Sequence, residues 1–178
     1  MRVIGGRSRG RRLPAKLPSS VRPTSDRVRE AIFDILGSQG GVEGLTVVDL
    51  FCGIGALGVE ALSRGAASST FVDLNPDALA AVRQNLTAVG LDEEPATMVR
   101  AALPGWLESA AAGSFDLALV DPPYDFEEWP ALLGALRADT AVMESAAPIV
   151  VPEAWVVARE RRYVGTLVTV AHHSGDGS

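Results

Sequence analysis

Two short stretches of this 178-residue chain carry residue types whose spacing could do chemistry. The first is Asp49-Leu-Phe51-Cys-Gly53-Ile-Gly55-Ala56-Leu57-Gly58, an acid at the end of a β-branched run followed by three closely spaced glycines. The second is Asp121-Pro122-Pro123-Tyr124, again an acid closing an apolar run. In an open parallel sheet, ligands sit where the carboxyl ends of strands meet such turns, because backbone N–H groups and the positive end of a helix face the crevice there. Gly53-x-Gly55-x-x-Gly58 matches a dinucleotide-type glycine turn, and Asp73, 20 residues beyond Gly53, stands where a ribose-binding acid belongs.

The glycine turn alone leaves two ligand classes open, a nicotinamide or flavin cofactor and S-adenosylmethionine. Asp49 favours the second. An acid just before the turn would repel a pyrophosphate, whereas the methionine end of S-adenosylmethionine carries an ammonium and a sulfonium that an acid can neighbour. Asp121 to Tyr124 point to the acceptor. Exocyclic amino groups of bases are poor nucleophiles because their lone pair is delocalised into the ring. A carboxylate and a backbone carbonyl accepting hydrogen bonds from such a group can aim that lone pair at a methyl donor. Prolines fix the turn and add no competing N–H, and a tyrosine offers a flat face for a base. Cys52 reads as a small buried spacer, and two adjacent histidines, His172 and His173, are too few for a metal site. No metal and no covalent nucleophile is expected; direct transfer is the economical mechanism. Trp129, close to Phe126 and Pro130, could stack on RNA or cover the site.

Composition supports one globular domain with a proper core: 47% of residues are hydrophobic, and no apolar run approaches a membrane span. The basic N-terminus has no apolar segment behind it, so no secretory signal is read, and the single cysteine fits a reducing, cytoplasmic setting. Charge is unevenly placed. Residues 1–29 hold nine basic side chains against Asp26, a balance of +8, so the rest of a chain of net charge −6 carries −14. Eight of the nine are arginine, whose guanidinium pairs with phosphate and stacks on bases. Arg7, Arg9, Arg11, Arg12 and Arg22 are the candidate phosphate contacts.

The elements that must position these residues follow from periodicity. Glycines and Pro14 in Met1–Ser20 suggest loops or a short hairpin. A helix capped by Thr24 or Ser25 presents Val28, Ala31, Ile32, Ile35 and Leu36 on one face and stops near Gly37. Thr46–Leu50 reads as the first strand, a helix runs from about Ala56 to Gly65, and Ser69–Asp73 is a second strand. Asn75-Pro76 caps a helix through Leu79, Val82, Leu86 and Val89. Thr97–Arg100 is a third strand, followed by a short helix around Trp106–Ala111 and a buried fourth strand, Phe115–Val120. A helix through Leu132, Leu133 and Leu136 leads to a fifth strand, read as Pro148–Val151. Trp155–Val170 reads as two strands meeting near Gly165. This alternation predicts a doubly wound α/β sheet. The expected organisation is a basic arm over 1–24, a catalytic domain over 25–171 and a polar tail over 172–178.

Over essentially its whole length the chain resembles the RsmD family of 16S ribosomal RNA guanine-N2 methyltransferases. The matching stretches are Arg2-Val-Ile-Gly-Gly with Arg9-Gly-Arg-Arg-Leu, Arg22-Pro-Thr-Ser-Asp-Arg-Val-Arg-Glu-Ala-Ile-Phe, Asp49-Leu-Phe-Cys-Gly-Ile-Gly-Ala-Leu-Gly, and Asp121-Pro-Pro-Tyr. The resemblance implies a Rossmann-like class I methyltransferase: a mainly parallel seven-stranded sheet with an antiparallel C-terminal hairpin and a small basic N-terminal extension. It implies S-adenosylmethionine as donor, S-adenosylhomocysteine as product, and one guanine of 16S rRNA, in the small ribosomal subunit or its assembly intermediate, as acceptor. The protein would be a monomer. Asp49, Phe51, Gly53, Gly55 and Asp73 would line the cofactor site, with Ala56, Leu57, Leu74, Ala101 and Ala102 beside them. Asp121, Pro122, Pro123 and Tyr124 would hold the guanine, with Arg22 to Thr24 close by. The resemblance makes Arg7, Arg9, Arg11, Arg12 and Arg22, with Thr24, candidate RNA contacts.

Two departures stand out. Ala102 occupies the place where the family usually has an acid for the adenine amino group. After the expected fifth strand, where a glutamate and a connection of ten or more residues belong, Val150-Val151 runs straight into Pro152. Rival readings are a DNA adenine-N6 or other amino-methyltransferase, against which the lack of room for a target-recognition domain counts, and a non-catalytic RNA-binding assembly factor.

Overall fold

The structure, a computed structural model, describes residues 1–15, 25–109, 112–163 and 165–175. Seven strands form one sheet: β1 (Thr46–Leu50), β2 (Ser68–Asp73), β3 (Ala96–Arg100), β4 (Phe115–Val120), β5 (Ala138–Ser145), β6 (Trp155–Tyr163) and β7 (Thr166–His173). Their order is β3-β2-β1-β4-β5-β7-β6. The first five pair in parallel, while β7 runs antiparallel to both β5 and β6. The resemblance predicts this arrangement. Because successive connections reverse direction between β1 and β4, the crevice beyond their carboxyl ends is the topological switch point.

The helices form where capping and apolar spacing agree. In α1 (Asp26–Ser38) the Ser25 hydroxyl accepts from the Val28 N–H at 3.2 Å, and Val28, Ile32, Phe33, Ile35 and Leu36 are buried. In α3 (Pro76–Ala88) the Asn75 side chain accepts from Asp77 N–H and Pro76 opens the first turn, where its missing N–H costs nothing. Those helices and α2 (Ala56–Ser63) cover one face of the sheet in a core with Leu57, Val59, Phe71, Leu117 and Val170. On the other face α4 (Trp129–Ala135) packs Leu132 and Leu133 against Leu50, Ala118, Met143 and Trp155. No helix among the described residues is long and apolar enough to cross a membrane.

Three expectations change. The fifth strand is Ala138–Ser145, not Pro148–Val151. The apolar Pro148–Val151 run lies outside any strand, with Val150 82% exposed. The true strand includes Asp139, Thr140, Glu144 and Ser145, whose polarity hides it; Thr140 Oγ1 is 3.0 Å from His172 Nδ1. The connection to β6 is therefore Ala146–Ala154, and the glutamate expected after the fifth strand has a counterpart in Glu144, buried near the end of β5. His172 and His173 belong to β7 rather than to a tail, and the His173 ring stands edge-on to Trp155 at 5.1 Å. The expected helix near Trp106 is a single 3-10 turn, Gly105–Glu108; residues 110 and 111 lie outside the described residues.

The N-terminal stretch folds as a hairpin-like loop closed by an Arg2–Arg12 bridge. It is built into the body: Val3 and Leu13 join the α1 core, and Glu60 of α2 accepts from the Ile4 and Gly5 N–H groups at 2.8 and 2.7 Å. Arg29, fully buried, donates to the Arg2 carbonyl and to Asp26 and lies 3.7 Å from Glu60.

Candidate active site

The switch point brings the two sequence motifs together. β1 and β4 are hydrogen-bonded neighbours with Leu50 opposite Val120, so the glycine turn that follows β1 adjoins the Asp-Pro-Pro-Tyr turn that follows β4. The glycine turn is tightly organised. The Asp49 carboxylate, 1% exposed, accepts from the Gly58 N–H at 2.8 Å. Gly58 lies in the first turn of α2, whose N-cap, Gly55, has no side chain to offer; Asp49 satisfies from the neighbouring strand a donor that a capping residue would otherwise take. Asp73, at the end of β2, accepts from the N–H groups of Gly53 and Asn75 at 2.9 and 2.8 Å.

Two of the glycines are sterically required. Gly55 has φ of 75°, and a Cβ there would stand 2.9 Å from Val82. A Cβ on Gly58 would stand 2.4 Å from the Phe71 ring and 2.7 Å from Ser69 Oγ, so the absence of a side chain is what lets α2 lie close to β2. Phe51 also has a left-handed φ, 58°, unusual for an aromatic residue and costing about 1–3 kcal/mol. Its ring meets Phe126 edge-on at 5.1 Å, and Phe126 meets Trp129 at 5.3 Å. An aromatic chain thus joins the glycine turn to the loop after Tyr124.

Electrostatically the crevice suits a cation. Burial raises Asp49 well above the usual carboxylate range, the Gly58 N–H partly offsets this, and the charges of Asp121 and Asp73 raise it further. Three carboxylates therefore converge where an ammonium or sulfonium would relieve their repulsion. Burial, with Asp49 and Asp73 beside it, also pushes the Cys52 thiol up, which disqualifies it as a nucleophile. Leu74, 63% exposed next to Asp73, offers an apolar surface. Ala101 and Ala102 lie just after β3; the Ala101 N–H donates to Asp73 O at 3.2 Å and the Ala102 carbonyl accepts from Trp106 N–H at 3.0 Å. Neither alanine side chain can hydrogen-bond an adenine amino group. Ala56 and the buried Leu57 open α2.

On the acceptor side a cleft of about 350 Å³ is lined by Pro122, Pro123 and Tyr124 on one wall and by Glu144 to Val150 on the other. That is near the lower end of the size usual for small-ligand clefts, roughly 300–1,000 Å³. Phe126 and Trp129 line it as well. Asp121 is half-buried and Pro122 buried, while Pro123 and Tyr124 are exposed, so a flat ligand could rest on the tyrosine ring. Sequence reasoning missed Glu144 and the Pro148–Val150 wall; reading Ala138–Ser145 as a strand would have brought both to the cleft.

The arginines of the N-terminal stretch divide. Arg7 pairs with Glu94, Arg11 donates to the Val89 carbonyl at 2.7 Å at the end of α3, and Arg2 donates to Gly10 O. Arg9 and Arg12 are exposed and form no ion pair or side-chain hydrogen bond among the described residues. Arg22 and Thr24 lie outside the described residues.

Known proteins resemble the chain over most of its length. A family model described as Conserved hypothetical protein 95 matches residues 1–171. Ribosomal RNA small subunit methyltransferase D of Haemophilus influenzae is 31% identical over 171 residues, covering 90% of this chain and 88% of the relative. YlbH of Bacillus subtilis is 40% identical over 135 residues, covering 75% and 72%. Among solved structures, yhhF of Escherichia coli superposes with a TM-score of 0.81 at 31% identity, covering 97% of each chain.

Proposed function

The chain belongs to the RsmD family of methyltransferases, and from that premise we propose that it transfers a methyl group from S-adenosylmethionine to the exocyclic N2 of one guanine of 16S rRNA, in the small subunit or its assembly intermediate. The observation that carries the reading is the adjacency of the two turns: a cation-favouring glycine turn beside an acid, two prolines and an exposed tyrosine on paired strands. S-adenosylmethionine, when bound, supplies a methyl group on a positively charged sulfur. Asp49 and Asp73 would hold its charged end and ribose, and Leu74 would cover its adenine.

The remaining chemistry belongs to the chain. Tyr124 stacks on a guanine turned out of its helix, as enzymes acting on a base require. Asp121 and the Pro122 carbonyl accept hydrogen bonds from its amino group and aim the nitrogen lone pair into the crevice. The N–CH₃ bond forms as the methyl–sulfur bond breaks, its electron pair staying on the sulfur of what becomes neutral S-adenosylhomocysteine. The nitrogen releases one proton, which Asp121 accepts before passing it to water. Orientation of this kind removes part of the barrier, because the entropy of bringing the groups into line is lost on binding. The RsmD relative is named for small-subunit ribosomal RNA, and the exposed Arg9 and Arg12 offer two guanidinium groups to phosphate.

Asp121→Ala tests the reading. Methyl transfer to small-subunit particles, followed by nucleoside mass spectrometry, is expected to fall at least ~100-fold, with calorimetric binding of S-adenosylmethionine persisting. Full activity in that variant would overturn the mechanism. Methylation appearing on adenine would overturn the acceptor, and no binding heat in the wild-type protein would favour a non-catalytic factor.

A further inference from the structure

We propose that the outer strand of the sheet, β6, is a second RNA-binding surface, on which Arg159, Arg161 and Arg162 hold the sugar-phosphate backbone flanking the nucleotide in the cleft. The inference rests on the RNA methyl-transfer reading above and goes beyond it, because the basic N-terminal stretch was the surface expected to grip phosphate.

Seven basic residues lie beyond Arg29 in this acidic chain, and three of them fall within the four positions 159–162. All three are exposed, and none forms an ion pair or side-chain hydrogen bond among the described residues. The acid between them forms no ion pair with them among the described residues; Glu160 accepts from Thr169 Oγ1 at 3.4 Å, across the strand pair. In the N-terminal stretch Arg2, Arg7 and Arg11 bind the protein's own groups, which leaves Arg9 and Arg12 as the exposed, unpaired arginines among its described residues.

Register places these arginines beside the cleft. Arg162 pairs with Leu167, which pairs with Ser145, and Arg161 pairs with Val168, which pairs with Glu144. Ser145 and Glu144 both line the cleft. Two interstrand spacings, about 10 Å, therefore separate the backbone of Arg162 from that of Ser145. A nucleotide seated in the cleft leaves its neighbouring phosphates within reach of these long side chains. Beyond the register shift between Val157 and Arg159 the strand pairs regularly, so Arg159 and Arg161 share one face while Arg162 takes the other. The three straddle the free edge, along which an extended polyanion can lie. Charge on an edge strand also has a plainer use, which is to discourage pairing with another sheet. The two roles give different outcomes on substitution.

The test is a double variant, R161Q/R162Q, with R161K/R162K as the charge-retaining control. Binding to the 16S rRNA of small-subunit particles is titrated from low to high KCl, S-adenosylmethionine binding is followed by calorimetry, and light scattering reports mass. Surface binding predicts that the glutamine variant loses about 10-fold in RNA affinity at low salt. Its log K against log[salt] slope flattens by roughly 0.7 for each phosphate that is no longer neutralised, the single-strand value. The lysine variant keeps most of the slope, and cofactor affinity is equal in all three proteins. An unchanged affinity and slope would overturn the proposal, as would self-association of the glutamine variant with RNA affinity retained, which assigns the arginines to edge protection. Wild-type protein that neither binds nor methylates this RNA would overturn the methyl-transfer reading itself, an outcome distinct from either.

Discussion

The glycine turn after β1 and the Asp-Pro-Pro-Tyr turn after β4 are neighbours on one sheet and are built in opposite ways. Around the first, the protein satisfies its own polar groups: Gly58 N–H is held by Asp49, and Gly53 and Asn75 N–H by Asp73. Helix α2 sits so close to β2 that a Cβ on Gly58 would collide with Phe71. Around the second, Pro123 and Tyr124 face outward, and the opposite wall ends in the exposed Val150. A small cofactor buries most of its surface in whatever the protein provides, so its cradle has to exist beforehand. A macromolecular acceptor brings its own stacking surface and charge, so its half of the site can stay open until it arrives.

Damage to the two turns is therefore expected to separate cleanly. Gly58→Val strikes the preformed side and carries the largest expected effect. Overpacking of a tight helix–strand contact costs typically 1–3 kcal/mol, which for a domain of this size lowers Tm by roughly 3–10 °C. Calorimetric binding of S-adenosylmethionine is expected to disappear, and methyl transfer with it. A variant that keeps wild-type cofactor affinity would show that the turn is not the cradle. Tyr124→Ala strikes the open side. Base–aromatic stacking contributes about 1–3 kcal/mol, so kcat/KM for small-subunit RNA is expected to fall roughly 5- to 150-fold, with Tm and cofactor affinity unchanged and Tyr124→Phe close to wild type. A loss of cofactor binding in Tyr124→Ala would erase the distinction.

The same contrast governs what could be read from the sequence. Both turns are local: acid, glycines or prolines lie within a few positions, and the steric demands on Gly55 and Gly58 leave a mark in residue type. Asp73 was visible because strand and spacing place it. The sheet edge was less legible. Pro148–Val151 has the composition of a strand yet forms one wall of the cleft, because apolar content does not show whether a segment has a partner to hydrogen-bond. Ala138–Ser145 lies between β4 and β7, and its polar Thr140 is satisfied across the sheet by His172. The seating of the N-terminal stretch was likewise hidden, since it depends on Glu60 meeting Ile4 and Gly5 across more than fifty residues. Charge counting marked that stretch as basic but could not show that Arg7 and Arg11 already have partners.

The finest test of the contrast lies in protons. In the free protein, burial, with Asp121 and Asp73 nearby, holds Asp49 above the usual carboxylate range despite the Gly58 N–H. A carboxyl group raised in this way contributes stability below its unfolded-state pKa and loses it as pH rises through the folded value. The unliganded protein is therefore expected to lose Tm as pH rises across that window, and Asp49→Asn, which still offers Gly58 an oxygen, to lose less. A cation in the crevice favours the ionised form, so S-adenosylmethionine affinity rises with pH over the same window, and binding there releases a fraction of one proton. Calorimetry in two buffers of different ionisation enthalpy measures that release. S-adenosylhomocysteine lacks the sulfonium charge and is expected to show a weaker pH dependence, and Asp49→Asn a nearly flat one for both ligands. Absence of pH dependence for both ligands in the wild-type protein would mean that the acid feels neither the sulfonium nor the ammonium. The preformed side would then be set by the glycines alone, with Asp49 serving only to hold the first turn of α2.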